Sequence, residues 1–323
     1  MTDLAVIIVS YNVRELLAQA LRSLLASLAK VGAVREPPLH ARVIVVENDS
    51  HDGSAEMVRT QFPDVELLEP GQNLGFAGGN NLALRHLGFG KEQHVGAIPS
   101  GCPEFVWLLN CDTEVIGDAP LQLVNYLRRN PSVGAIGPKL RYGDQTFQHS
   151  AFAFPGLFQL FLDLFPAPGR LLESRINGRY PPHLWQGKRA FAVDMLLGAA
   201  LMVRGAAIEQ VGLMDEGYFM YAEELDWCRA LRHAGWLIHA LPTAIVIHYS
   251  GQSTKQFRDR MFVALWRSRL RYYEKWESPT YVRLVRFVLR LGMAWQSRQA
   301  RSENKNNDEN ARRLAAYQEV AAL

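Results

Sequence analysis

The sequence contains few cysteines and no large excess of charge, and each absence excludes a class of protein. Cys102, Cys111 and Cys228 are the only cysteines, and none of them forms a CxxC pair. An odd number without a disulfide framework indicates a reducing compartment, so we expect a cytoplasmic protein. The formal net charge of +3 is too small to indicate a nucleic-acid partner.

Long apolar runs are also absent. The sequence has no stretch of 18 or more uncharged apolar residues, which argues against a membrane-spanning helix. The first residues, MTDLAVIIVSYN, have neither a basic region before the apolar run nor a small-residue cleavage site. We therefore interpret this run as a buried strand rather than as a signal peptide.

Short apolar runs alternate with helical patterns along the first third of the chain. We predict strands over 4–9, 41–47, 65–68 and 105–109, and helices over about 13–28, 54–61 and 78–87. The strands are continuously apolar, as in parallel sheets that helices cover on both faces. The pattern predicts an α/β fold with a doubly wound, mostly parallel sheet.

Polar residues follow three of the predicted strands: Ser10, Tyr11 and Asn12; Glu47, Asn48, Asp49 and Ser50; and Asn110, Cys111 and Asp112. Ligands of such sheets bind beyond the carboxyl ends of the strands, so these residues predict a binding site. Capping of the next helix explains Asp52 and Ser54. Asp49 is equally consistent with a turn and with a ligand that accepts the N–H of a pyrimidine base.

An acidic cluster, Glu223, Glu224 and Asp226, lies among apolar residues in FMYAEELDWCRALRHAGW. Acids in the first turn of a helix stabilise its dipole by about 0.3–1 kcal/mol each, so the cluster has a structural explanation. Carboxylates in apolar surroundings are also typical of catalytic and metal sites. Asp226 and Arg229 have the spacing of an ion pair, so we assign Asp226 mainly, and Glu223 partly, to structure.

The region 256–297 has a basic amphipathic pattern. Arginines at 283, 286 and 290 recur at helical spacing, and Leu284, Phe287, Val288, Leu291 and Trp295 occupy the opposite side. Such a helix either lies in the interface of an anionic bilayer, giving peripheral membrane contact through 260–297, or packs on its own domain. The polar residues 298–323 predict a flexible tail.

Six segments, in this order, resemble glycosyltransferase family 2, particularly its rhamnosyltransferase-like branch: VIIVSYN, VVENDSHDGS, NLGFAGGNN, FVWLLNCDTEV, LLGAALMVRGAAIEQVGLMDEGYFMYAEELDWCRALRHAGW and AIVIHYSGQST. The resemblance covers about residues 4–255. It implies a GT-A fold over 1–255, with a nucleotide-binding half over about 1–115 and an acceptor-binding half over about 116–255.

The resemblance also implies roles for individual residues. It assigns the nucleotide to Ser10, Tyr11, Asn12, Glu47 and Asp49, and the rest of the sugar-nucleotide pocket to Asn73, Gly75, Phe76, Asn80 and Asn110. Asp112 occupies the position of the Asp-x-Asp metal motif, and with His248 it is expected to hold Mg²⁺ or Mn²⁺. Glu224 occupies the position of the general base, with Glu223 as the alternative.

The implied activity is an inverting, divalent-metal-dependent transfer of a sugar from a dTDP- or UDP-sugar, with dTDP-rhamnose as one candidate. The implied acceptor is a glycan, or a glycan linked to polyprenyl diphosphate, at the cytoplasmic membrane face. Two positions depart from the family pattern: Asn110 replaces the first acid of Asp-x-Asp, and Glu224 replaces an aspartate. They leave open a non-catalytic sugar-nucleotide-binding or scaffold protein on the same fold.

Overall fold

A computed structural model describes residues 2–34, 39–90, 101–250, 258–302 and 308–323. The strands are β1 (Leu4–Ser10), β2 (Ala41–Glu47), β3 (Glu66–Leu68), β4 (Phe105–Leu109), β5 (Thr113–Ile116), β6 (Val133–Arg141), β7 (Phe147–Gln148), β8 (Ala151–Phe152), β9 (Phe191–Ala192), β10 (Met195–Leu196), β11 (Ala200–Arg204) and β12 (Leu237–His248). The predicted strands of the first third are confirmed, each within about one residue of its observed bounds.

The helices are α1 (Arg14–Val34), α2 (Ser54–Gln61), α3 (Gly75–His86), α4 (Ala119–Arg129), α5 (Leu157–Leu164), α6 (Gly169–Leu172), α7 (Pro182–Gln186), α8 (Gly205–Val211), α9 (Glu223–His233), α10 (Arg258–Trp276), α11 (Pro279–Ser302) and α12 (Asp308–Ala322). A short 3₁₀ helix covers Arg175–Asn177. Within the ranges given above, no helix combines the length and the apolar character that crossing a membrane requires.

The main sheet has the strand order β3-β2-β1-β4-β11-β6-β12-β5. Strands β3, β2, β1 and β4 are parallel, β11 is antiparallel to both β4 and β6, and β12 is parallel to β6. Both faces of the sheet are covered by helices. Alternate residues of β1 accordingly belong to two separate apolar clusters, one on each face. The expected α/β fold with a mostly parallel, doubly wound sheet is confirmed.

The register of the sheet brings distant parts of the sequence together where several strands end. Strand β12 pairs antiparallel with β5 so that His248 lies opposite Thr113, next to Asp112. The N–H of Asn110, just beyond β4, donates to the carbonyl of Ala199 at 2.9 Å. Residues that follow β4, precede β11 and end β12 therefore meet at the same place.

The predicted flexible tail is wrong for the residues that the structure describes. Helix α11 continues to Ser302, and α12 buries Ala316, Tyr317 and Val320 against its neighbours. The ring of Tyr317 lies 5.5 Å from that of Phe262 on α10. The composition of this region is polar, but its few apolar residues recur every three to four positions. This spacing is enough to pack one face of a helix against the neighbouring helices.

Candidate active site

A cavity of about 670 Å³ opens at the carboxyl ends of β1 and β4. Its wall includes nine of the residues predicted from the sequence: Tyr11, Asn73, Gly75, Phe76, Asn110, Asp112, Glu223, Glu224 and His248. A larger groove of about 1150 Å³ lies between α10 and α12, and none of these nine residues reaches it. The smaller cavity is therefore the candidate active site.

Asp112 and His248 form one corner of the cavity. Oδ1 of Asp112 lies 3.3 Å from Nε2 of His248, and both side chains are about nine-tenths buried. This separation is about that of two ligands on one divalent ion. Within the described ranges, no group of three or more His, Cys, Asp and Glu side chains could hold a metal. Among the described residues, Asp112 and His248 are thus the two strong ligands at this corner, and other oxygen donors would complete the coordination of an ion.

Gln148 supports the histidine from behind. Its Nε2 lies 3.1 Å from Nδ1 of His248. Its Oε1 is buried and has no hydrogen-bond partner in the described part of the chain. Rotation of the amide by 180° places Oε1 against Nδ1–H, which leaves Nε2 of His248 free to bind a metal. The rotation gives the orphaned oxygen a partner, and in the resulting tautomer Asp112 and His248 both present acceptor atoms that fit a divalent ion.

Glu223 and Glu224 are the acidic pair in the wall of the cavity. Each has a buried Oε2 without a hydrogen-bond partner among the described residues. Burial, and then the charge of Glu224, raise the pKa of Glu223 well above its usual value. Burial also raises the pKa of Glu224, but the N–H groups of Glu224 itself, Gly198 and Leu225 donate to its carboxylate and oppose that shift, whereas only one backbone N–H does so at Glu223. We therefore expect Glu224 to ionise before Glu223.

The backbone is strained where it enters α9. Tyr221 and Ala222 have φ values of 69° and 65°, in the left-handed region that side chains other than glycine rarely adopt. Each such residue costs about 1–2 kcal/mol. The hydroxyl of Ser268 on α10 donates to the carbonyl of Met220 at 2.8 Å and fixes the segment from outside. The two left-handed residues turn the chain so that α9 starts at the cavity wall.

The glycine-rich turn before α3 touches the same segment. Gly75 has a φ of 70°, and a Cβ there would lie 2.3 Å from the carbonyl oxygen of Phe219. The N–H of Phe76 donates to that oxygen at 3.1 Å. A side chain at position 75 would therefore separate the turn from the loop that carries the acids.

Asn48 holds the glycine turn in place, a role that the sequence did not reveal. Its Nδ2 donates to Oδ1 of Asn73 at 3.2 Å and to the carbonyl of Gly75 at 3.1 Å, and its Oδ1 accepts from the N–H of Leu74 at 3.1 Å. The amide joins the end of β2 to the start of α3. Its position among the polar residues after β2 was the available signal.

Five of the predicted residues do not line the cavity: Ser10, Asn12, Glu47, Asp49 and Asn80. Glu47 accepts from the N–H of Ser50 at 3.0 Å, and Asn12 accepts from the N–H of His51 at 2.9 Å. Nδ2 of Asn80 donates to the carbonyl of Phe76 at 2.9 Å. In the structure Glu47, Asn12 and Asn80 hold the backbone around the cavity, and contact of the five residues with a nucleotide stays a prediction.

The expected pair between Asp226 and Arg229 is wrong. Asp226 is buried against α10, where Lys275 Nζ lies 2.8 Å from Oδ2 and Trp276 Nε1 donates to Oδ1 at 2.7 Å. Arg229 instead lies 3.6 Å from Glu277. The assignment of Asp226 to structure holds, but its partners come from a later helix, which helical spacing cannot indicate.

Two cavity residues had no specific signal in the sequence. Gln148 is at the start of the proline- and aromatic-rich stretch 147–192, and Arg260 is one of many C-terminal arginines. Arg260 is the one lysine or arginine that lines the cavity in the described part of the chain.

Comparison with known proteins identifies the family. Residues 5–191 match glycosyl transferase family 2. An N-acetylglucosaminyl-diphospho-decaprenol L-rhamnosyltransferase of Mycobacterium tuberculosis is 31% identical over 227 residues, which cover 70% of this chain and 72% of the relative. A low-salt glycan biosynthesis hexosyltransferase of Haloferax volcanii is 24% identical over 248 residues, which cover 76% of this chain and 67% of that protein.

Two solved structures share the fold. GalNAc-T7 with UDP, GalNAc and Mn²⁺ superposes with a TM-score of 0.58 at 11% identity, over 99% of this chain and 54% of that one. A mannosyltransferase of Pyrobaculum calidifontis with GDP-Man and Mn²⁺ has a TM-score of 0.55 at 16% identity, over 99% of this chain and 80% of that one. The chain belongs to glycosyl transferase family 2, in its rhamnosyltransferase-like branch, and is a glycosyltransferase with the GT-A fold.

Proposed function

We propose that this glycosyltransferase catalyses an inverting, divalent-metal-dependent transfer of rhamnose from dTDP-rhamnose to a glycan linked to polyprenyl diphosphate. The observation that carries the proposal is one cavity lined by both the Glu223–Glu224 pair and the Asp112–His248 corner. The choice of sugar and acceptor is supported by the name of the relative from Mycobacterium tuberculosis. The reaction takes place at the cytoplasmic face of the membrane.

Glu224 acts as the general base. The acceptor oxygen forms a bond to the anomeric carbon while the bond between that carbon and the diphosphate oxygen breaks on the opposite side, so the configuration inverts. Glu224 takes the hydroxyl proton in the same step. Glu223, whose pKa is raised further by the charge of its neighbour, stays protonated and keeps a second negative charge away from the cavity.

The leaving nucleoside diphosphate carries negative charge, and the cavity supplies groups that offset it. Asp112 and His248 would hold Mg²⁺ or Mn²⁺, which acts as a Lewis acid on the diphosphate when bound. Arg260 adds a positive side chain to a wall that otherwise contains carboxylates. Asn110, 3.5 Å from Nε2 of His248, replaces an acid and leaves this corner less negative than two carboxylates would.

A transfer assay tests the proposal. The purified chain is incubated with dTDP-rhamnose or UDP-sugars, Mg²⁺ or Mn²⁺, and a polyprenyl-diphosphate-linked N-acetylglucosamine acceptor, and the glycosylated lipid and its anomeric configuration are measured. We expect an inverted product that requires the metal and is lost in Glu224→Gln. Absence of both transfer and donor hydrolysis with every donor would contradict it.

A non-catalytic sugar-nucleotide-binding protein is the second candidate, because Asn110 and Glu224 replace residues that the family pattern has as aspartate. Calorimetric binding of dTDP-rhamnose without turnover, at equal affinity in the wild type and in Glu224→Gln, would favour it. Turnover that depends on Glu224 would exclude it.

A further inference from the structure

Helices α5 and α11 lie side by side. Oη of Tyr281 on α11 is close to Gly156 at the start of α5, where a Cβ would lie 3.9 Å from it. Towards the other end, Nε2 of Gln296 donates to the carbonyl of Leu164 at 3.2 Å. A Cβ on Gly292 would lie 2.8 Å from that of Leu164, so the two backbones approach closely there. Both helices therefore contribute to one surface.

That surface is apolar and exposed. We call it the apolar face, and its members are Phe158 and Phe161 on α5 and Leu284, Phe287 and Leu291 on α11. Their side chains are 44–57% exposed. Most of the other large apolar side chains of these helices are turned inward, including Leu160, Leu164, Val285, Leu289 and Met293. Helix α11 thus has two apolar sides, and packing on its own domain uses only one of them.

Arginines border the apolar face along α11. Successive residues of a helix are about 100° apart around its axis. Going around α11 from the side that meets α5, the stripe of Leu284, Phe287 and Leu291 comes first, and Arg283 and Arg290 come next. In the described part of the chain, neither arginine has a carboxylate within ion-pair distance. Arg286, in contrast, faces α10 and forms an ion pair with Glu274 at 2.5 Å. The two outer arginines are therefore available to anions beyond the protein.

We propose that the apolar face is a docking surface for an anionic lipid bilayer, with Phe158, Phe161 and Phe287 entering the interface and Arg283 and Arg290 contacting lipid phosphates. Aromatic and leucine side chains bordered by arginine are typical of helices that lie in the plane of a bilayer interface. A second copy of the chain fits less well, because two-fold pairing of this face would bring its arginines towards one another.

The inference rests on the proposed function for its biological purpose, since a lipid-linked acceptor is met at a membrane. Helix α10 connects the apolar face to the catalytic cavity. Its first turn supplies Arg260 and Met261 to the cavity wall, and its side carries Glu274, which holds Arg286 of α11. The cavity and the apolar face are therefore parts of one packed unit.

Vesicle flotation with the full chain tests the proposal. We expect the wild type to float with phosphatidylcholine vesicles that contain phosphatidylglycerol, and much less with pure phosphatidylcholine. Phe158→Ser/Phe287→Ser should lower partitioning at least about ten-fold, because two large apolar side chains lose their burial in lipid. Arg283→Gln/Arg290→Gln should lower it about five-fold per arginine, and only on the anionic vesicles.

Tyr142→Ser and Arg129→Gln are matched controls, because both residues are exposed and lie outside the two helices. They should float like the wild type. Circular dichroism of each variant shows whether it is still folded. Calorimetric binding of dTDP shows separately whether the donor assignment of the proposed function is right. Equal flotation of the wild type and the phenylalanine variant would overturn the proposal. So would a dimer, seen by analytical ultracentrifugation, that the same variant dissociates.

Discussion

The ammonium of Lys275 lies 2.8 Å from Oδ2 of Asp226 and 3.1 Å from Oδ2 of Asp215, and so ties α10 to both the start of α9 and the loop before it. The side chain of Asp226 is 4% exposed and that of Lys275 is 40% exposed. The acid pair at the start of α9 is therefore positioned by a helix from the basic C-terminal region.

Lys275→Met removes this tie, and we expect it to lower the free energy of unfolding by about 1–3 kcal/mol, because Asp226 loses a charged partner while it stays buried. Urea unfolding measures the change. Lys30→Met, at an exposed lysine of α1, is the control and should change stability by less than about 0.5 kcal/mol. Equal stability of the two variants would show that the contact contributes nothing.

Glu224→Gln should lower kcat by about 10²–10⁴-fold, the usual contribution of a general base, while donor affinity is unchanged. Glu223→Gln should lower kcat less than about ten-fold, because an amide replaces a carboxyl group that is already neutral. Steady-state kinetics and calorimetric donor binding provide the two measurements. The reverse order of effects would assign the base to Glu223.

The same pair predicts the pH dependence of activity. Glu224 must be ionised to act as a base, and burial raises its pKa. The acid limb of kcat/KM should therefore have its midpoint above the usual glutamate value of 4.5, with activity rising as pH rises. The limb should persist in Glu223→Gln; its disappearance there would mean that Glu223 is the titrating group.

Stability should respond to pH in the opposite direction. Because the pKa of Glu223 is higher in the folded than in the unfolded state, its protonated form adds stability that is fully present below about pH 4.5 and is lost as pH rises through the raised pKa. In urea unfolding, Glu223→Gln should gain stability relative to the wild type between pH 5 and pH 8, because the amide has no proton to lose. A constant difference would contradict the raised pKa.

Gly75→Ala tests the contact between the glycine turn and the acidic loop. Gly71→Ala is a matched control, because Gly71 has a φ of 71° against 70° for Gly75, but has nothing within 4 Å of an added Cβ. The control should lose only the backbone cost of about 1–2 kcal/mol. Gly75→Ala should lose about 1–3 kcal/mol more through steric conflict, and most of its transfer activity. Equal losses would show that the contact with Phe219 is not required.

Metal affinity should depend on Gln148 through His248. We expect Gln148→Leu to weaken Mn²⁺ binding about 10–100-fold, because the histidine loses the partner that orients its ring. Electron paramagnetic resonance of Mn²⁺ titrated in the presence of dTDP measures this without turnover. Gln122→Leu, on the outer surface of α4, is the control. Unchanged binding in Gln148→Leu would remove Gln148 from the metal site.

The sequence predicted those parts of the molecule whose signals are local. Strand β1 and the polar residues after it could be located because apolar runs and strand ends are properties of adjacent residues. The pairing of Asp226 with Lys275 could not, because it depends on how α10 crosses α9. Gln148 was missed for a similar reason: a single glutamine acquires its role only when the β12 register brings His248 beside it.

The sheet order has a consequence for chimeric enzymes. Strand β11 lies between β4 and β6, and β5 pairs with β12 at the far edge, so strands from early and late in the chain interleave. Exchanging everything after about residue 116 with a relative would replace β11, one of the two hydrogen-bonding neighbours of β4, and β12, the neighbour of β5. The stretch between β8 and β9 is different, because it contains α5, α6 and α7 but no strand of the main sheet. Grafting that stretch alone is the exchange that keeps the central sheet native.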